Sequence, residues 1–193
     1  MMKAENLRRL LHEWRDGKSD PSGDPLVVMP LPSDDCLEDH TAAIDLRLGS
    51  WFLSPTLSRI TCLRVGREDE PITKTHFVPF GKDYILHPRS FVLGVTLEWI
   101  RMPLRMAGYV NGKSSWGRRG LIIATAAVVH PGFIGCLTLE LTNLGEVPIA
   151  IRPGMRIGQL SFHELSGSTD ASSLSKPLLN FSGQRRPVLG TVQ

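Results

Sequence analysis

The sequence is poor in the residues that build covalent or metal staples. It has three cysteines, Cys36, Cys62 and Cys136, and no C-x-x-C pair, which argues against a disulfide framework or a zinc finger. Such cysteines read as small buried apolar residues or free thiols rather than ligands. The six histidines, His12, His40, His76, His87, His130 and His163, contain no H-x-x-x-H or H-E-x-x-H spacing that would set two on one helix face. No apolar run approaches the ~18 residues of a membrane span. The N-terminal MMKAENLRRLLHEWRD lacks the uninterrupted apolar stretch of a signal peptide, so the expected compartment is the cytosol. Net charge is also scarce: 22 Lys+Arg against 19 Asp+Glu leave +3, which excludes a strongly basic nucleic-acid binder. With 21% charged and 41% hydrophobic residues, the chain is not a disordered polyelectrolyte either.

What is present is a chain of 193 residues, long enough for a real core and compatible with one domain, one domain with extensions, or two small ones. Leu7, Leu10, Leu11 and Trp14 recur at the spacing of an amphipathic packing helix, with Arg8, Arg9, Glu13 and Arg15 on its other side. Residues 17–42 carry Pro21, Pro25, Pro30 and Pro32 among Ser, Asp and Gly, which predicts a wrapping loop with at most a short strand at Leu26–Met29. From Ala43 onward come short apolar or alternating runs bounded by turns: AIDLRL, SWFL, ITCLRV, FVPF, YILH, FVLGVTLEWI, GYVNG, LIIATAAVV, LTLELTN, IAI and IGQLSF. These predict many strands, hardly any helix, and a mainly β barrel or jelly-roll-like domain over 43–165. Residues 166–193, rich in Ser and Gly, read as a mobile C-terminal tail, and Phe181, Gln184, Arg185 and Arg186 within it suit a segment that folds over a ligand.

Three segments could carry chemistry. Gly112-Lys113-Ser114-Ser115-Trp116-Gly117-Arg118-Arg119-Gly120 gathers backbone N–H groups, hydroxyls and cations in one Gly-flanked turn, the inventory that grips a phosphate chain. A solvated turn has the same composition, and the P-loop order G-x-x-x-x-G-K-S/T is not met. The second segment is His130-Pro131-Gly132-Phe133-Ile134-Gly135-Cys136-Leu137-Thr138-Leu139-Glu140-Leu141-Thr142-Asn143. Its strict alternation puts Leu137, Leu139 and Leu141 on one strand face and Thr138, Glu140 and Thr142 on the other, so Glu140 belongs to a patterned polar face. The third is Arg152-Pro153-Gly154-Met155-Arg156-Ile157-Gly158-Gln159-Leu160. Singly, the last two are ordinary turn-plus-strand units.

Together and in this order, the three segments resemble the dCTP deaminase branch of the trimeric dUTPase superfamily. The likeness extends upstream: Ala43-Ile44-Asp45-Leu46-Arg47-Leu48-Gly49 resembles the family's S-x-D-L-R-L-G strand, and Ile85-Leu86-His87-Pro88 through Thr96-Leu97-Glu98 its I-L-x-P-G…T-x-E segment. It covers about residues 43–165 and echoes in the tail. The resemblance implies a distorted β-barrel or jelly-roll subunit with a short N-terminal helix, assembled as a homotrimer with active sites between subunits. It also implies hydrolytic deamination of dCTP to dUTP and ammonia without zinc. Independently, the H-x-E and P-C-x-x-C elements by which zinc deaminases hold their metal do not occur in the sequence.

Attack on cytosine C4 without zinc needs a base for the water, an acid for N3 and the leaving amine, and donors for developing charge. One secluded carboxylate can be base and then acid. Glu140 is that candidate, by its strand face and by its match to the family's catalytic Glu. The resemblance places Ser114, the backbone of Ala126 and Arg118 beside it. It assigns the nucleotide to Lys113, Ser114, Ser115, Trp116, Gly117, Arg118, His130, Thr138, Leu139, Glu140 and Gln184, with Mg²⁺ travelling on the triphosphate and dTTP as an inhibitor. His130 stands where both branches commonly carry Asp. This weakens dUTPase and bifunctional readings more than the deaminase one, because only dUTP hydrolysis uses that Asp as base; His130 either bonds the deoxyribose 3′-OH or is a turn residue. In the tail, Asn180 and Ser173 replace the family's usual Lys and Tyr, and Arg185 and Arg186 are the available cations. A non-catalytic nucleotide-binding protein on the same scaffold is the remaining alternative.

Overall fold

The computed structural model describes residues 2–17, 23–32, 42–56, 73–166 and 183–188. The expected strand ITCLRV, the residues Cys36, His40 and Cys62, and the tail residues Ser173, Asn180 and Phe181 lie outside them. Among the described residues the chain is mainly β. It opens with helix α1 (Ala4–Arg15), which lowers Leu7 and Leu11 into the core and leaves Trp14 at its edge. Helical spacing alone sets that stripe. Met2 ties the helix entry to the sheet through its N–H, which donates to the Phe162 carbonyl at 2.8 Å.

The strands are β1 (Val27–Met29), β2 (Ala43–Pro55), β3 (Thr73–Phe77), β4 (Tyr84–Leu86), β5 (Phe91–Arg101), β6 (Met106–Gly112), β7 (Leu121–Ile123), β8 (Val128–Val129), β9 (Ile134–Asn143), β10 (Ile149–Ile151) and β11 (Arg156–Glu164), with a single helical turn, α2 (Ser114–Gly117), after β6. The main sheet runs β7-β9-β5-β2-β11-β6-β8; β1 adds to β5, β3 adds to β2, and β4 with β10 forms a separate pair. All pairings are antiparallel.

Four details differ from the strand runs read in the sequence. FVPF is not a strand: only its Phe77 falls in β3, and residues 78–80 lead into a turn. Strand β1 is formed as expected, yet Leu26, Val27 and Val28 are buried, so this Pro-rich segment contributes to the core rather than only wrapping it. Antiparallel pairing with β5 satisfies its backbone, and short apolar side chains do the rest. AIDLRL and SWFL are one strand, β2, whose register against β5 slips between Leu48 and Phe52; the irregularity changes which residues face inward. LIIATAAVV is split. Its first part, β7, pairs with β9, its last part, β8, pairs with β6, and residues 124–127 cross between them. This crossing joins the two ends of the sheet and curls it toward a barrel.

The core fills the inside of that curl with Ile44, Leu46, Leu48, Phe52, Leu139, Leu141, Leu160 and Phe162, all fully buried. Among the described residues one charged side chain is buried with them. Glu98 accepts from the Arg47 N–H at 2.8 Å and from Arg47 Nε at 2.7 Å, so the carboxylate is paired and hydrogen-bonded, as burial of a charge requires.

Candidate active site

Strand β6 delivers Lys113, in extended backbone, to the start of α2. The turn is held from outside. Lys113 N–H donates to the Ile157 carbonyl at 3.3 Å, and Trp116 Nε1 donates to the Arg156 carbonyl at 3.0 Å. The Lys113 ammonium lies 2.7 Å from both oxygens of Asp45, which also receives Gln159 Nε2 at 3.1 Å and has Arg156 Nη1 at 3.8 Å. Arg119 folds back, donating to the Ser115 carbonyl at 2.7 Å, with its guanidinium 6.0 Å from the Trp116 ring. Ser114, Ser115 and Arg118 are exposed. Among the described residues the Arg118 guanidinium has no hydrogen-bond or ion-pair partner, whereas the Lys113 charge is already matched by Asp45.

Beyond the turn, Gly120 sits at φ +88°, and a Cβ there would lie 2.7 Å from Gly145 N. Only glycine brings the chain this close to the end of β9, where Leu144 N–H donates to the Gly120 carbonyl at 2.8 Å. Strand β7 then runs antiparallel to β9, placing Leu121 opposite Asn143 and Ile123 opposite Leu141.

On β9 the alternation read from the sequence is realised: Leu137, Leu139 and Leu141 are buried and Thr138, Glu140 and Thr142 half-buried. The backbone of Glu140 is fixed on both sides, its N–H donating to Thr125 Oγ1 at 2.7 Å and its carbonyl accepting from Ala124 N–H at 2.8 Å. Its carboxylate makes no hydrogen bond or ion pair among the described residues. Ala126 is exposed one position beyond Thr125. Leu139 is fully buried, so only its backbone can meet a nucleotide. His130 is exposed, and its carbonyl closes the turn by accepting from Phe133 N–H at 3.2 Å.

Within one chain, no hydrogen bond or ion pair joins Glu140 to Ser114 or Arg118. Glu140 lies three positions from Asn143 along β9, about 10 Å at a strand's rise, and the Ser114 turn lies past the far end of β7. The chain offers a carboxylate at one end of β7 and a hydroxyl-and-guanidinium turn at the other.

The tail residue Gln184 meets β9 upstream of Thr138. Cys136 N–H donates to the Gln184 carbonyl at 2.9 Å, and Gly183 N–H donates to the Ile134 carbonyl. Arg186 stacks over the Trp51 ring with Cζ 4.0 Å from the centroid. Burial pushes the Cys136 thiol above its ordinary pKa, with Arg185 opposing and Glu98 adding to the shift.

Asp45, Gln159, Thr125 and Trp51 were not singled out as site residues in the sequence. Thr125 left one signal, as the only hydroxyl in LIIATAAVV. Asp45 left only its place in a resembling strand.

This arrangement is the dUTPase-like fold. The chain superposes on a 2′-deoxycytidine 5′-triphosphate deaminase from Agrobacterium tumefaciens with TM-score 0.59 and 22% identity, covering 89% of this chain and 50% of that one. It superposes on a dUTPase of Staphylococcus bacteriophage 80alpha with TM-score 0.50 and 14% identity, covering 75% and 92%. The chain thus spans half the length of the Agrobacterium protein. The profile described as dCTP deaminase-like matches residues 26–165, and the chain belongs to that family. Relatives include a dCTP deaminase of Haloarcula marismortui, 39% identical over 171 residues with 87% of each chain covered. Another is a dUMP-forming dCTP deaminase of Halobacterium salinarum, 44% identical over 149 residues with 75% of each covered. Among the described residues no helix is long and apolar enough to cross a membrane.

Proposed function

We propose that this chain is a cytoplasmic, homotrimeric dCTP deaminase that hydrolyses dCTP to dUTP and ammonia without zinc. The observation that carries the reading is Glu140: a half-buried carboxylate on the polar face of β9, its backbone fixed by Thr125 and Ala124, its side chain uncommitted. Glu140 takes a proton from water as the oxygen adds to C4 of cytosine, and passes it to N3. Glu140, again a carboxylate, takes the proton of the new C4 hydroxyl and delivers it to the amine; the C4–N bond breaks, ammonia leaves and the uracil carbonyl forms. Ser114 and the Ala126 backbone hold the water, and Arg118 offers charge to Glu140 and the phosphates. Because Glu140 and Ser114 are apart within one chain, a neighbouring subunit supplies the missing half of each site.

Ser115, Trp116 and Gly117 present the turn to the triphosphate, and Lys113 joins them by exchanging Asp45 for a phosphate. Thr138 and the Leu139 backbone line the base, His130 bonds the 3′-OH, and the tail from residue 166 closes with Gln184 over the nucleotide. Among the described residues no group of three or more His, Cys, Asp or Glu side chains could hold a metal ion; Mg²⁺ arriving with the triphosphate would be held by phosphate oxygens and water, and would screen the phosphate charge. Because dTTP carries the same deoxyribose and triphosphate as dCTP, the residues that grip those groups would also bind dTTP, as a feedback inhibitor.

The second reading is a dUMP-forming enzyme, the name carried by several relatives. His130 speaks against it, since it occupies the turn where dUTP hydrolysis takes its carboxylate base. Purified protein with dCTP and Mg²⁺ is expected to accumulate dUTP with equimolar ammonia. Dominant dUMP and pyrophosphate would establish the second reading, and dCTP binding without turnover a regulatory protein.

A further inference from the structure

We infer that Trp51 and Arg186 are positioning residues that clamp the segment 183–187 onto its own subunit and thereby hold Gln184 beside the nucleotide. The functional half of this inference rests on the deaminase reading above; the clamp itself rests on geometry alone. Four observations converge on residues distant in sequence. Gly183 and Gln184 pair with Ile134 and Cys136 through two backbone hydrogen bonds. Gly135 between them has φ +142°, and a Cβ there would come within 3.1 Å of Gln184 N and O. The missing side chain lets the tail backbone lie directly on β9. Pro187 is buried. The Arg186 guanidinium lies over Trp51 with Cζ 4.0 Å from the ring centroid, and Trp51 is itself steadied by the Phe77 ring at 4.9 Å.

These contacts divide the work. Two backbone bonds set register, but one of them ends on the exposed Gly183, and a short segment held by so few bonds opens locally at little cost. The cation–π contact links the tail to β2, two strands away from β9 in the sheet, so the segment is fixed at two points. With both in place Gln184 is held just upstream of Thr138 and Glu140, and the nucleotide does not have to order the tail on its own.

The test uses the full-length protein and the variants Trp51→Ala, Arg186→Ala and Trp51→Phe. Amide hydrogen exchange at Gly183 and Cys136 reads the clamp, and steady-state deamination of dCTP reads its use. Both alanine variants are expected to speed exchange at these two amides and to raise KM about two- to five-fold, the range of an exposed cation–π contact, with kcat nearly unchanged. Combining them should add nothing further, and Trp51→Phe should recover most of the loss. Exchange that is unchanged in Arg186→Ala, whose exposed side chain does not support the fold, would overturn the clamp. Faster exchange with unaltered dCTP kinetics would keep the clamp and overturn its positioning role. Absence of deamination in the unmodified protein would overturn the deaminase reading and with it the positioning role, while the exchange data still decide the clamp.

Discussion

The Lys113 ammonium sits equidistant from the two carboxylate oxygens of Asp45, 2.7 Å from each and 68 positions away in the chain. This contact ties the start of the Ser114 turn to β2, and Gln159 completes it from β11. Both partners are mostly but not fully buried, so the pair retains part of its strength against solvent screening. Asp45→Asn, which keeps the shape and removes the charge, is expected to cost about 1–2 kcal/mol in urea unfolding. The double variant with Lys113→Met should lose little more than Asp45→Asn alone, because the two groups act as one unit. Additive losses would show that Lys113 is stabilised elsewhere.

Glu140→Gln removes the proposed proton carrier while preserving size and the Thr125 contact, which on the Glu140 side involves only the backbone N–H. Ammonia release from dCTP is expected to fall by a factor of about 10²–10⁴, with the elution volume and thermal midpoint of the protein retained. Full turnover in this variant would remove Glu140 from the mechanism.

Gly120→Ala tests how the turn is joined to β9. The substitution forces a left-handed backbone on a residue with a Cβ and drives that atom to 2.7 Å from a backbone nitrogen. A loss of about 2–3 kcal/mol, or roughly 5–10 °C in Tm for a chain of this size, is expected from calorimetry.

Cys136 supplies a pH signature. Burial holds its thiol above the ordinary pKa, so the folded state keeps a proton that the unfolded state releases first. The associated stability is intact below the ordinary thiol pKa and is lost as pH rises through that value toward the folded one. Urea unfolding of the natural protein and of Cys136→Ala at about pH 7 and about pH 10 should show the natural protein losing more stability between the two. Parallel losses would show that the thiol does not ionise differently on folding. Arg185, which opposes the shift, should deepen the alkaline loss when replaced by alanine.

Local pattern alone identified the elements proposed to carry the chemistry. The period-two alternation of Leu137–Thr142 determined which side of β9 bears Glu140, because side chains on a strand have no other choice. The Leu7, Leu11 stripe determined the buried side of α1 in the same way. The order of the Gly112–Gly120, His130–Asn143 and Arg152–Leu160 segments indicated the family before any coordinate was known.

Contacts between residues far apart in the chain were decided only by tertiary structure. Nothing near Asp45 announces Lys113 or Gln159, and nothing near Trp51 announces Arg186. The apolar run 121–129 looks like one strand because apolarity records burial and not partner; pairing to β9 at one end and to β6 at the other breaks it and leaves Thr125 free to cap Glu140. The separation of Glu140 from Ser114 has the same origin. Alternation determines the face on which a side chain lies, whereas the distance between two faces depends on how the sheet curls, and that is set by long-range strand pairing.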